Sequence, residues 1–177
     1  VTDYKAKDDA DALNRIKSIM GKIGTFDAAG FNRIKAEKPA LEPKDIYGIL
    51  PKSRADQYDM YEIIKRLVDQ SEFDEYKGDY GKTLITAYAR IEGWAVGIVA
   101  NQRKIVKTAK GEMQFGGAIY SDSADKATRF IANCNQKKIP LVFLQDVTGF
   151  MVGSKSEHGG IIKDGAKMVN AMANSVV

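Results

Sequence analysis

The sequence has little cysteine and little histidine. The two residue types supply the ligands of most zinc sites, and cysteine alone forms disulfides. Among its 177 residues there is one cysteine, Cys134, and one histidine, His158. One cysteine cannot form a disulfide within the chain, and this pair cannot supply the ligands of a structural zinc site or a metalloprotease helix. We therefore exclude these classes for this chain and predict no metal site.

Long hydrophobic runs are also absent. The most apolar stretches, residues 94–100 and 139–144, are far shorter than the roughly 20 residues that cross a bilayer. The first twenty residues are charged, where a secretory signal peptide would have an apolar segment. These absences predict a soluble, cytoplasmic protein with no membrane partner.

Charge of one sign is present in only small excess. The chain has 27 Lys and Arg against 23 Asp and Glu, a formal net charge of +4. Because so weak a field does not argue for polyanion binding, we expect no nucleic-acid partner. The apolar content of 44% and the length suit an ordered chain with one core. The chain begins with Val1 and ends on the apolar Val176 and Val177, so we expect a piece of a longer protein.

The hydrophobic pattern predicts two helices in the first part of the chain. Apolar residues at helical spacing predict the first over residues 9–23. Residues 25–51 show no sustained period and contain three prolines, which indicates a connector with at most a short helix at 28–38. Asp59 is the expected N-cap of the second helix, which ends near Ser71.

The remainder of the chain alternates strands with helices. Residues 83–91 and 94–99 flank a Glu92 and Gly93 turn, which predicts a β-hairpin. A lysine-rich loop follows, then a helix capped by Ser123, whose expected buried face is Ala124, Ala127, Phe130, Ile131 and Cys134. Next come a buried strand at 140–145, a glycine loop at 146–160, and a last helix with Ile162, Ala166, Val169 and Met172 facing inward. This order predicts a layered α/β fold with functional loops at the carboxyl ends of its strands.

The strongest candidate site is the glycine-rich segment at 146–153, followed by residues 158–167. A buried strand that runs into a glycine turn and a helix start presents backbone N–H groups, which can stabilise negative charge developing on an oxygen atom. The alternative is that Gly149 and Gly153 only supply positive φ to a turn. The spacing matches neither the Rossmann pattern nor the P-loop, which argues against a nucleotide-phosphate site.

Other candidates have weaker signals. The basic loop that starts at residue 101 could bind phosphate or be a solvated face, and the Gly116 and Gly117 turn could approach a flat ligand closely or be only a turn. His158 has no well-placed carboxylate partner, so a surface or ligand-contact role is favoured over catalysis. Cys134 lies on an apolar helix face, which predicts a buried, inert thiol.

Five ordered segments resemble one known family, at residues 47–51, 97–102, 123–130, 143–153 and 160–168. Over about residues 59–177 the sequence resembles the carboxyltransferase beta subunit of biotin-dependent acyl-CoA carboxylases, of the propionyl-CoA and methylcrotonyl-CoA type. The segment Gln-Asp-Val-Thr-Gly-Phe-Met-Val-Gly at 145–153 is nearer to the methylcrotonyl branch. The resemblance implies a crotonase-like ββα superhelix, as an incomplete domain. Residues 1–58 would be a helical linker segment, and residues 59–177 the N-terminal part of the C-terminal carboxyltransferase domain.

The resemblance also implies an activity, in which the carboxyl group of carboxybiotin is transferred to the α-carbon of an acyl-CoA. This chain would contribute the biotin-side half of the site. The implied catalytic residues are Gly149, Phe150 and Met151, acting through their backbone. The implied cofactor-binding residues are Thr148, Gly153, Gly159, Gly160, Lys163, Phe115, Gly116, Gly117, Asn101 and Gln102. The implied partners are a biotin carboxylase, a biotin carboxyl carrier subunit and further copies of the same subunit.

The same resemblance implies limits and leaves alternatives open. The CoA-binding half and a second oxyanion loop lie outside these residues, so we expect the isolated fragment to be inactive. The carboxyltransferase subunit of a sodium-pumping acyl-CoA decarboxylase, which runs the transfer in reverse, is one alternative. A non-catalytic assembly or dimerisation module is the other.

Overall fold

A computed structural model describes residues 4–23, 32–53 and 56–177 of the chain. Its helices are α1 (Asp9–Ile23), α2 (Ile46–Ile49), α3 (Met60–Leu67), α4 (Ser121–Lys137), α5 (Ser154–His158) and α6 (Ile161–Ala173). Its strands are β1 (Phe73–Glu75), β2 (Leu84–Ile91), β3 (Trp94–Asn101), β4 (Val106–Lys107), β5 (Met113–Gln114), β6 (Ala118–Ile119), β7 (Leu141–Leu144) and β8 (Gly149–Phe150). Short 3₁₀ turns occur at Pro43–Asp45 and Asp69–Ser71.

The two helices predicted in the first part of the chain are present as α1 and α3. The side chain of Asp59 accepts a hydrogen bond from the Tyr61 N–H at 3.1 Å, which confirms Asp59 as the N-cap of α3. Part of the possible helix at 28–38 lies outside the described residues, and residues 32–38 contain no helix. Within the described residues, no helix combines the length and the apolar character needed to cross a membrane.

The predicted β-hairpin forms the centre of the fold. Strands β2 and β3 pair antiparallel over their whole length. Glu92 and Gly93 have φ of 49° and 81°, as a two-residue hairpin turn requires. The buried carboxylate of Asp69 accepts hydrogen bonds from the Glu92 N–H at 2.8 Å and the Gly93 N–H at 2.7 Å. The turn is therefore held both by its own sequence and by a side chain from outside the hairpin.

Strands β1 and β7 extend the hairpin to a four-stranded sheet in the order β1-β2-β3-β7. Strand β1 pairs antiparallel with β2, whereas β7 pairs parallel with β3 after the crossover through α4. Strand β7 is half-buried along its length, so the prediction of a buried strand at 140–145 was wrong in this respect. The reason is that β7 is an edge strand, with one strand neighbour among the described residues.

The sheet separates two hydrophobic clusters. On one face α4 packs against the sheet, and its predicted apolar face of Ala124, Ala127, Phe130, Ile131 and Cys134 is completely buried. On the other face α3 packs Met60 and Ile64 against Ile85 and Ile98. Helices on both faces of a mixed sheet confirm the predicted layered α/β architecture.

Helix α4 begins three residues earlier than predicted. Its N-cap is Tyr120, and Ser123 occupies the third helical position, where its Oγ accepts a hydrogen bond from the Tyr120 N–H at 2.9 Å. Ser123 therefore closes a capping box from inside the helix, and its prediction as the N-cap was wrong. Serine suits both positions, so its presence alone does not distinguish them.

Helix α6 buries a different face from the predicted one. The four residues predicted to face inward, Ile162, Ala166, Val169 and Met172, are all exposed. The buried face has Ile161, Gly165 and Met168. Gly165 allows the ring of Phe150 to pack against the helix, because a Cβ at this position would lie 3.0 Å from Phe150 Cε1. A hydrophobicity pattern does not register glycine as a packing residue, and the predicted face was therefore wrong.

Candidate functional site

The site is built where strands β3 and β7 end. These two strands are parallel neighbours, so their carboxyl ends meet at one edge of the sheet. The chain leaves β3 into the loop at 102–117 and leaves β7 into the glycine loop. Both loops therefore lie at the edge where α/β folds place ligand sites.

A short parallel pair joins the two loops. Strand β6 pairs with β8, and hydrogen bonds extend the pair at both ends. The Thr148 N–H donates to the Gly117 carbonyl at 2.7 Å, and the Met151 N–H donates to the Ile119 carbonyl at 2.8 Å. The structure thus brings together two predicted segments, 115–117 and 148–151, that are far apart in the sequence.

Two glycines leave the backbone of the loop bare. Gly149 and Gly153 have φ of 152° and 107°, in the region that favours glycine. A Cβ at either position would meet no atom within 4 Å. The positive φ values show that these glycines shape a turn, as the alternative interpretation holds, and the open space beside them leaves the backbone accessible, as the oxyanion interpretation needs.

A cavity of about 700 Å³ lies beside β8. Three of the predicted site residues line it, namely Phe115, Met151 and Gly159. A cavity of this volume can hold a small organic ligand. The walls of such ligand sites consist largely of apolar and aromatic side chains. The structure therefore places the glycine loop next to a ligand-sized space.

Several residues of this cavity were not predicted from the sequence. Tyr80, Lys82, Tyr120 and Lys155 line it. Gly81 packs closely against Ser123 and so brings the turn with Tyr80 and Lys82 to the cavity. A Cβ added at Gly81 would lie 2.7 Å from Ser123 Cα. No local pattern signals this approach, although a glycine just before a strand is a hint of close backbone contact.

Charged side chains around the cavity are mostly paired. Lys155 Nζ lies 3.0 Å from Glu112 Oε1, and Lys82 Nζ lies 3.7 Å from Asp79 Oδ1. The opposite charges therefore largely cancel at this surface, and the cavity does not attract ions of one sign strongly.

Tyr80 is one neutral hydrogen-bond donor of the cavity wall. Burial raises its pKa, and the nearby carboxylates of Asp125 and Asp122 raise it further. Its hydroxyl therefore stays protonated near neutral pH, available to an acceptor on a ligand.

The start of α6 is tied to the start of α4 beside the cavity. Gly160 is the N-cap of α6, with φ of 98°. The Ser121 hydroxyl donates to the Asp164 carboxylate, and this hydrogen bond lowers the pKa of Asp164. Gly159 and Gly160 are thereby held at the mouth of the helix, as predicted for this segment.

Five predicted site residues have side chains that do not line the cavity, namely Thr148, Phe150, Lys163, Asn101 and Gln102, and the predicted glycines other than Gly159 do not line it either. Lys163 is exposed on the first turn of α6. Asn101 and Gln102 are buried at the end of β3, each 3% exposed. The Gln102 Oε1 accepts from the backbone N–H groups of Met60, Arg103 and Lys104 at 3.2, 2.8 and 3.1 Å. Gln102 therefore joins the start of α3 to the loop after β3.

The single cysteine and the single histidine lie where residues without a catalytic role were expected. Cys134 is fully buried, as predicted, and burial raises the pKa of its thiol to about 12. His158 is exposed at the end of α5. Over residues 4–23, 32–53 and 56–177, no group of three or more His, Cys, Asp and Glu residues is arranged to hold a metal ion.

Comparisons with known proteins match the whole chain. The model of the family described as "Carboxyl transferase domain" matches residues 1–177. The chain is 43% identical over 173 residues to the biotin-dependent 3-methylcrotonyl-coenzyme A carboxylase beta1 subunit of Mycobacterium tuberculosis, covering 98% of this chain and 30% of that protein. It is 42% identical over 177 residues to the mitochondrial methylcrotonoyl-CoA carboxylase beta chain of Dictyostelium discoideum, covering 100% of this chain and 28% of that protein.

A more distant relative and a solved structure complete the comparison. The chain is 31% identical over 168 residues to the glutaconyl-CoA decarboxylase subunit alpha of Acidaminococcus fermentans, covering 92% of this chain and 29% of that protein. Transcarboxylase 12S, a hexamer solved with methylmalonyl-coenzyme A and methylmalonic acid bound, superposes with a TM-score of 0.82 at 33% identity. That match covers 97% of this chain and 32% of the other. The predicted crotonase-like α/β fold is thereby confirmed, and the chain spans less than a third of the length of these relatives.

Proposed function

Because the chain belongs to the carboxyl transferase domain family, we propose that it forms part of the carboxyltransferase component of a biotin-dependent acyl-CoA carboxylase. In the proposed reaction, the carboxyl group of carboxybiotin is transferred to the α-carbon of an acyl-CoA. One observation carries the proposal at the level of the site, namely the bare backbone at Gly149 in a loop whose Met151 and Val152 line a ligand-sized cavity.

The residues at the cavity suit biotin. Gly149 and Gly153 leave open space where a Cβ would stand, and Phe115, Tyr120 and Met151 line the nearby cavity and offer an apolar wall to a fused bicyclic ring. When bound, the carboxylated cofactor supplies a carboxyl group activated on a ring nitrogen. Phe115, Met151 and Gly159 are the predicted residues that would contact it, with Thr148 and Gly153 at the edge.

The contribution of this chain to the chemistry is electrostatic. Backbone N–H groups around Gly149 and Phe150 would donate to the oxygen on which negative charge develops during transfer, whereas the Met151 N–H already donates to the Ile119 carbonyl. Donors held in a rigid strand pair need no reorganisation at the moment of reaction, which is why the β6 and β8 pairing matters. The ring of Phe150 packs against Gly165, so the side chain anchors this backbone while its N–H remains the functional group.

The relatives favour the carboxylase over the decarboxylase alternative. Identity is 43% to the methylcrotonyl-CoA carboxylase subunit and 31% to the decarboxylase subunit, over similar lengths. We therefore propose an acyl-CoA as the acceptor, a biotin carboxylase and a biotin carrier as partners, and further copies of the subunit in the assembly. The CoA-binding half of the site would come from the rest of the subunit, so we keep the prediction that these 177 residues alone are inactive.

The test replaces the glycine of the loop in the complete subunit that contains this chain. Gly149→Ala adds a methyl group into open space but forces the backbone out of a conformation that favours glycine. We expect kcat for carboxyl transfer from a carboxylated acyl-CoA to free biotin to fall about 100-fold, the effect of losing one oxyanion donor.

The matched control is Gly111→Ala. Gly111 also has a positive φ, 81°, and open space around its Cβ position, but it lies at the tip of the β4 and β5 hairpin. Lys110 and Glu112 on either side of it line the cavity, but the Gly111 N–H already donates to the Thr108 carbonyl at 2.9 Å, so we expect kcat of this variant to stay within about twofold of wild type. Equal kcat for Gly149→Ala and Gly111→Ala would contradict the proposed site. A subunit that self-associates but transfers no carboxyl group would support the assembly-module alternative.

A further inference from the structure

We propose that Arg103 is a positioning residue of the carboxyltransferase site, which holds the backbone of Thr148 and Gly149 through Asp146 and Gly117. The inference rests on the proposed function and adds to it a side chain that the family resemblance did not include. Arg103 belongs to the basic loop after β3, for which the sequence offered only a phosphate contact or a solvated face.

Arg103 forms an ion pair with the residue that begins the glycine loop. Its Nε lies 3.3 Å from Asp146 Oδ2, and the Arg103 side chain is 16% exposed. Asp146 directly precedes Val147 and Thr148, so its position determines where the loop leaves β7. The Tyr58 hydroxyl donates to the same Asp146 oxygen at 2.8 Å. The carboxylate is therefore held from two sides, by a cation and by a phenol.

The same guanidinium fills the space in front of Gly117. A Cβ at Gly117 would lie 2.0 Å from Arg103 Nη1 and 3.3 Å from Thr148 Oγ1. A Cβ at Gly116 would lie 2.2 Å from the carbonyl carbon of Arg103. The two glycines therefore admit Arg103 to a position between the loop after β3 and the loop after β7.

Backbone hydrogen bonds complete the arrangement. The Gly117 N–H donates to the Gln102 carbonyl at 2.8 Å, and the Gly117 carbonyl accepts from the Thr148 N–H at 2.7 Å. The loop is thus held at Thr148 by its backbone and at Asp146 by the Arg103 side chain. Two anchors on either side of Val147 restrict the translation and rotation of the segment that presents Gly149.

Such restriction matters because catalysis by backbone donors depends on their placement. A displacement of about 1 Å at a reacting centre can reduce the rate about 100-fold. Lysine is not an equivalent replacement, because its ammonium group lacks the planar guanidinium that reaches Asp146 and Gly117 together.

The test compares Arg103→Ala, Arg103→Lys and Asp146→Asn in the complete subunit, assayed for carboxyl transfer from a carboxylated acyl-CoA to free biotin. For Arg103→Ala we expect kcat to fall about 10- to 100-fold with KM for the acyl-CoA unchanged. Arg103→Lys should recover only a small part of the loss. The double variant Arg103→Ala with Asp146→Asn should be no slower than Arg103→Ala, since the pair acts as a unit.

Two controls separate positioning from general effects. The Lys104 side chain belongs to the same loop and is 53% exposed, and its Nζ pairs with Asp59 Oδ2 at 2.9 Å. Lys104→Ala therefore removes a cation from this loop and should leave kcat within about twofold of wild type. Millimolar guanidinium should restore part of the activity of Arg103→Ala and none of that of Gly149→Ala. A purely structural role would lower the unfolding midpoint but leave kcat per folded site unchanged, and that result would overturn the proposal.

A second measurement does not depend on activity. Arg103→Ala should increase the hydrogen-exchange rate of the Thr148 amide at least tenfold, whereas Lys104→Ala should not change it. Unchanged exchange at Thr148 would also overturn the proposal. If the wild-type subunit transfers carboxyl groups and Gly149→Ala is slow while Arg103→Ala is not, the role of Arg103 fails and the proposed function stands. If the wild-type subunit transfers none, the proposed function fails, and exchange at Thr148 still decides whether Arg103 holds the loop.

Discussion

Replacing Gly97 with alanine tests how closely α4 packs on the central strand. A Cβ at Gly97 would lie 2.6 Å from Cys134 Sγ, 3.2 Å from Phe130 Cε1 and 3.3 Å from Leu141 Cδ2. Cys134 and Phe130 are completely buried, so neither side chain can move into solvent to make room. Gly97 does not have a positive φ, and the backbone itself tolerates alanine. The cost of Gly97→Ala is therefore a packing cost.

The distances from the added Cβ indicate the size of this packing cost. A contact of 2.6 Å to a sulfur atom is far inside van der Waals range, so the helix must shift or the thiol must leave its rotamer. Overpacking of this kind costs about 1–3 kcal/mol of unfolding free energy. Cys134→Ala alone removes one buried heavy atom and costs about 1–2 kcal/mol. In the double variant the clash with the sulfur is gone, and the new methyl group occupies part of the vacated space.

Urea unfolding followed by circular dichroism measures these free energies. We expect the double variant to be more stable than the sum of the single effects predicts, by at least about 0.5 kcal/mol. The control is Gly48→Ala, at a helical position with no atom within 4 Å of the new Cβ, which should be neutral or stabilising by up to about 1 kcal/mol. A Gly97→Ala variant as stable as wild type, or strictly additive single effects, would refute this reasoning.

Three further predictions concern buried polar groups. Asp69→Ala leaves the N–H groups of Glu92 and Gly93 without their acceptor, so the unfolding free energy should fall by about 2–4 kcal/mol; a thermal midpoint equal to wild type would contradict this. Lys126 is completely buried, and burial is the main cause that lowers its pKa to about 8, against roughly 10.4 in the unfolded chain. Between pH 8 and about 10 the unfolded state therefore binds more protons than the folded state. The unfolding free energy should rise with pH in this range by up to about 1.4 kcal/mol per pH unit, and Lys126→Met should abolish the rise. Parallel stability curves for wild type and Lys126→Met would show that the lysine is not responsible. Iodoacetamide at pH 8 should alkylate Cys134 only as the protein unfolds, because burial raises the thiol pKa to about 12, and rapid labelling of the native protein would argue against this burial.

Local signals determined the elements whose structure depends on neighbours in the sequence. The alternation of residues 83–91 and the Glu92 and Gly93 turn predicted the hairpin, because strand faces and turn conformations are properties of a few consecutive residues. Asp59 predicted the start of α3 for the same reason. The glycine loop was also identified from the sequence, since bare backbone after a strand is a local feature.

Tertiary structure decided what depends on residues distant in the sequence. The inward face of α6 follows from the ring of Phe150 against Gly165, and the cavity wall follows from Gly81 against Ser123. The sequence predicted the segments of Gly117 and Thr148 as two separate candidates, and the hydrogen bond between their backbones is a tertiary contact. The sequence by itself thus determined the kinds of element and the chemistry of the loop. Which side chains surround that loop depended on close approaches between distant segments, and glycine permits those approaches without leaving any hydrophobic pattern to read.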